Sequence, residues 1–165
     1  MLNVFTSPPV LAGLAILGAS IFVSCRAGAK REPVVLHVQT VSRGVSSGMA
    51  EEACVAIRSA EEFDALWQRH GNLQLPSPKA PEVDFGACMV VGVFLGTRAT
   101  AGFGVEIQSV EQIPASGKDG SPTLLIRARE TTPEEGSVVA QMVTAPFHVV
   151  RVDRAEGDPV LELTR

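Results

Sequence analysis

The sequence predicts a β-rich α+β fold: an antiparallel sheet, rolled or sandwich-like, of about seven or eight strands with one inserted helix at about residues 60–70. Three observations carry this expectation. Short Val-rich segments alternate apolar and polar side chains, the two-residue period of a half-buried strand. The 15 Gly and 11 Pro punctuate those segments as turns. A single segment repeats its apolar residues with the period of an amphipathic helix.

The 165 residues suit one domain. A net charge of −4 argues against a nucleic-acid surface, which needs clustered Lys and Arg. The predicted organisation is a signal peptide or membrane anchor at 1–24, a tether at 25–33 and one β-rich domain at 34–165. Residues 1–24 hold no charged side chain and no His, and Val10–Val23 is almost wholly apolar, the length of a signal-peptide core. Phe22-Val23-Ser24-Cys25 resembles the lipobox of bacterial lipoproteins, with Phe22 where Leu is usual. That resemblance implies export to the cell envelope, cleavage before Cys25 and acylation of its thiol. An unlipidated cleaved signal and an uncleaved anchor are the alternatives. Arg26, Lys30 and Arg31 behind the apolar run favour the latter, because positive charge prefers the cytoplasmic side.

Each element has its own warrant. Val34–Val41 alternates (Val34, Leu36 and Val38 against His37 and Gln39) and predicts a strand, followed by a Ser/Gly-rich loop over 42–52. Cys54–Arg58 is a short strand. Ser59 and Glu62 form a capping box, and Phe63, Leu66, Trp67 and His70 recur at helical spacing. Gly71 is a natural terminator, so the helix runs over Ala60–His70 with Trp67 buried against the sheet. The Pro-rich stretch 75–81 is a connection. Cys88–Leu95 is apolar on both alternating faces, the mark of a central strand covered on both sides. Phe103–Ile113 reads as the returning strand of a hairpin, with Val105 and Ile107 inward. Leu124–Glu130, a short strand at Val138–Val143, Phe147–Asp153 and Val160–Leu163 complete the count.

The order VAIRS-x-x-EF-x-x-LW, P-x-x-DF, VVGVFLGTRATAGF and TAPFHVVRV over about residues 55–152 resembles the PrcB-like protease-complex subunit family. The resemblance implies a small, non-catalytic envelope protein that binds or stabilises a partner protein, a secreted or envelope peptidase. The family's Thr-Gly-Gly-aromatic turn stands here as Thr100-Ala101-Gly102-Phe103, and Ala101 would be strained if that position required positive φ.

A search for chemistry returns little. His37, His70 and His148 form neither HExxH nor a Cys/His cluster with metal-ligand spacing, so no metal or cofactor is expected. His70 falls at a helix C-terminus, where the dipole favours an imidazolium. Cys54 and Cys88 read as small buried hydrophobes. A disulfide between them, which would add about 3–4 kcal/mol in the chain-entropy model, is the alternative. A thiol enzyme using either Cys is a further reading, opposed by the apolar strand around Cys88, where a thiolate is poorly solvated.

Three loops remain as partner-binding candidates: Thr97–Phe103, Thr131–Ser137 and Thr144–Phe147, with Thr97, Thr100, Gly102, Phe103, Thr144, Pro146 and Phe147 as contact residues. The first and third are similar to the loops of chagasin-type cysteine-peptidase inhibitors, which implies an inhibitor as a second function. The bland alternative places Phe103 and Phe147 in the core.

Overall fold

The computed structural model describes residues 32–72, 76, 78–115 and 120–165. The expectations for residues 1–31, including the signal segment and the lipid-bearing Cys25, lie outside the described residues. In chain order the elements are β1 (Val34–Val35), β2 (Gln39–Gly44), β3 (Glu52–Ile57), α1 (Ala60–Gly71), β4 (Cys88–Leu95), β5 (Gly104–Ile113), β6 (Thr123–Thr131), β7 (Phe147–Asp153) and β8 (Asp158–Thr164). They form two four-stranded sheets, ordered β1-β5-β6-β8 and β2-β7-β4-β3.

The both-faces-apolar reading of β4 holds, and it explains the layering. Met89, Val91, Val93 and Leu95 face the other sheet, where Val105, Ile107, Val110, Leu124, Ile126 and Ala128 meet them. Val90 and Phe94 face the opposite way, under Phe63, Leu66 and Trp67 of α1. The molecule is thus a sheet, a sheet and a helix, with β4 between β7 and β3 at the centre. Fully burying side chains of this size stabilises by about 1.5–3 kcal/mol each, which makes β4 the energetic middle of the fold.

Helix α1 starts as its capping box predicts: the Ser59 hydroxyl accepts from the Glu62 amide at 3.3 Å. Glu62 reaches back one residue further than expected, to the amide of Arg58. Trp67 is buried, and its Nε1–H donates to the Pro78 carbonyl at 2.9 Å. Gly71 is the last helical residue and has no positive φ; the exposed helix end is closed from outside, where Gly48 N–H donates to the His70 carbonyl at 2.7 Å. A Cβ at Gly48 would lie 2.3 Å from the Arg69 carbonyl oxygen, so only glycine permits this approach.

Four strand expectations are corrected. The segment Val34–Val41 splits between the sheets: β1 pairs with β5 and β2 with β7, and β2 runs on to Gly44 where a loop was expected. β5 does not return beside β4; residues 96–103 cross from one sheet to the other, and β5 pairs with β6. Val138–Val143 is not a strand, because its apolar residues do not alternate and Val138, Met142 and Val143 point into solvent. β8 runs parallel to β6, since the chain re-enters that sheet from the far end after β7.

Candidate functional site

Two connections that cross between the sheets, residues 96–103 and 132–146, emerge at the same end of the sandwich. Loop 45–51, which links β2 to β3, joins them there. The three are stitched by main-chain hydrogen bonds. Arg98 and Thr144 exchange both bonds, at 2.7 and 2.9 Å, Ala101 N–H reaches the Ala140 carbonyl, and Ala145 N–H reaches the Val45 carbonyl. The Thr144 hydroxyl donates to the Thr100 carbonyl at 3.0 Å.

Arg98 anchors the crossing. Its guanidinium binds the Leu95 carbonyl and the buried carboxylate of Glu130 at 3.1 Å, and lies 5.7 Å from the Phe103 ring centroid. Arg165 holds the second oxygen of Glu130 at 3.0 Å. Two guanidiniums thus occupy both oxygens of a carboxylate whose side chain is buried. Neither Arg98 nor Glu130 stood out in the sequence; their partnership needs residues 32 positions apart to meet.

The contact residues divide into two groups. Thr97 and Gly102 are exposed, and Thr100 and Phe103 are half-buried. Thr144, Pro146 and Phe147 are buried, in line with the alternative that places Phe147 in the core. Phe147, only 4 % exposed, packs with Phe94 and Val149 because the chain has already entered β7. The Pro-aromatic loop of the inhibitor comparison is therefore part of the packed interior in this structure. Gly102 carries the positive φ of the turn, +93°, and no described non-glycine residue has one, so Ala101 is unstrained.

What does face solvent here is the middle of 132–146. Val138 is fully exposed, Val143 is 70 % exposed and Met142 54 %; Val45, also exposed, lies on the neighbouring loop, where its carbonyl meets the Ala145 amide. Exposed apolar side chains gathered on one long irregular loop are the feature a binding surface requires. The sequence signal for it is an apolar run, Val138–Val143, that fails to alternate.

The other candidates are the cysteines and histidines. Cys54 and Cys88 are both free. Cys54 lies opposite Val93, five residues along β4 from Cys88, so their side chains cannot reach a disulfide. Burial pushes the Cys54 thiol up to about 11, the reverse of what a nucleophile needs. Cys88 is half-buried at the start of β4, opposite Asp153, rather than within its apolar middle. The histidines bind other partners: His70 Nδ1 is 3.0 Å from the Ser47 hydroxyl, and His148 contacts Thr40 and Ile107. His70 does not carry the helix-end charge expected of it, since burial holds its pKa below the usual range. Among the described residues, no group of three His, Cys, Asp or Glu could hold a metal ion.

The two crossing connections lie in one stretch of chain. Residues 89–153 match the PrcB C-terminal family model. No curated protein and no solved structure is found to be similar to the chain. The PrcB C-terminal match is narrower than the sequence resemblance, leaving out β3 and α1. It runs from the second residue of β4 to the end of β7, so it contains both crossing connections.

Proposed function

We propose that this protein is a non-catalytic, envelope-anchored subunit that binds a partner protein, a peptidase, through the loop end of its sandwich. The observation that carries the reading is the exposed apolar group Val138, Met142 and Val143 on a loop whose roots are pinned by the Arg98–Thr144 bridge. A pinned loop loses little conformational freedom on docking, so its apolar area contributes to binding rather than offsetting an ordering cost. The PrcB C-terminal match supports a protease-complex partner.

A photo-crosslinking amino acid placed at Met142 of the full chain, in its native cells, tests the partner. It should capture a peptidase, while the same group at Asp64, exposed on the far helix, should not. Absence of a peptidase at Met142, or equal capture at both sites, would overturn the reading. The anchor is proposed to be lipid on Cys25. Intact mass of membrane-extracted protein should correspond to residues 25–165 plus acyl chains, and Cys25→Ala should abolish that species.

A further inference from the structure

We propose that His148 is an acid-released lock: neutral, it ties the two sheets together at the roots of both crossing loops, and protonated, it lets that end loosen.

The geometry fixes the form of the ring. His148 is 3 % exposed on β7, and its Nδ1 accepts the backbone N–H of Ile107, on β5 of the opposite sheet, at 2.8 Å. A nitrogen that accepts cannot also carry a proton, so Nε2 holds it and donates to the Thr40 hydroxyl on β2, 3.0 Å away. Both ring nitrogens are thereby used, and three strands converge on one imidazole. The bond falls beside a bulge in β5 between Ile107 and Ser109, where the ladder to β6 shifts register.

The position matters as much as the bonds. Ile107 lies three residues into β5, which begins where connection 96–103 ends. His148 is the second residue of β7, which begins where 132–146 ends. Protonation at Nδ1 would set two donors against each other, N–H facing N–H, and place a charge between the sheets. The bond lost is the inter-sheet one, because the Thr40 hydroxyl can still accept from Nε2.

The charged groups facing the ring are Arg43 of β2 and Glu106 of β5, themselves paired across the sheets at 3.0 Å. Burial is the largest influence and disfavours the imidazolium; Arg43 adds to this, and Glu106 opposes it. The pKa in the closed state therefore lies below the ordinary 6.5. The open state binds the proton more readily, so closure is complete above pH 6.5 and weakens as pH falls below it. Each pH unit in that window weakens it by up to about tenfold.

Hydrogen exchange of the full-length protein in detergent, corrected for the intrinsic effect of pH, reads the lock directly. Between pH 7.5 and 5.0, opening of segment 104–110 should increase once pH drops below 6.5, by at most about tenfold per pH unit. In His148→Asn, whose side-chain oxygen can accept from Ile107 without titrating, it should not change. An equal response in both proteins, or none in the wild type, would overturn the proposal. Nitrogen NMR of the wild-type ring gives a check that needs no variant: Nδ1 protonated at pH 7.5 would also overturn it.

Discussion

The imidazole of His70 stands edge-on to the ring of Phe147, with centroids 4.2 Å apart and planes at 62°. Phe147 in turn stacks on Phe94, 6.2 Å away at 17°. Through these rings the last turn of α1 grips the start of β7 and the end of β4. An aromatic residue that follows a proline at a loop's end is here a brace between helix and sheet.

Phe147→Ala should therefore cost about 3–5 kcal/mol, the range for deleting a buried phenyl ring. Phe103→Ala, half-buried beside Arg98, should cost about 1 kcal/mol. Urea unfolding of the full-length chain measures both. Equal losses would contradict the different burial of the two rings.

Gly102→Ala meets two obstacles: a φ of +93° and a new Cβ 2.8 Å from Cγ of Pro133. The expected loss is about 1–2 kcal/mol. Ala101→Gly, at the neighbouring position with ordinary φ, should lose less than about 1 kcal/mol, through unfolded-chain entropy alone. The same denaturation curves distinguish them, and a reversed order would relocate the turn.

The pH dependence of global stability has a fixed sign. Burial is the first cause that lowers the pKa of both His70 and His148 from 6.5. Unfolding restores that value, so the unfolded chain binds more protons once pH drops below it. The urea midpoint should fall as pH declines from 6.5 towards 5. The double variant His70→Gln, His148→Asn should lack this decline, and its persistence would assign the effect to other groups.

Cys54, with its pKa raised to about 11, should be unreactive in the folded protein. At pH 8 about one thiol in a thousand is ionised, so iodoacetamide should label it slowly until urea is added. Rapid labelling of native Cys54 would contradict its burial.

Much of the architecture was legible because it is written in local periodicity. The Ser59–Glu62 capping box and the Phe63–His70 stripe located α1 to within a residue, since both signals lie within one or two turns of chain. The double-faced apolar run of β4 announced its central place for the same reason. The site was less legible. Val138–Val143 is as apolar as a strand, and composition alone could not say that it stays in solvent. Phe147 and Phe103 both sit beside strand starts, and nothing local separates the buried ring from the half-exposed one.

The sequence by itself determined where α1 and most of the strands form, and that β4 is covered on both faces. Only the tertiary structure decided which strands pair, that β5 crosses to the other sheet, and that β8 joins in parallel. It alone brought Arg98 to Glu130 and His148 to Ile107. The physical reason is distance along the chain. Periodicity records which side of an element seeks the core, whereas pairing and side-chain partnership depend on what the rest of the chain has placed opposite.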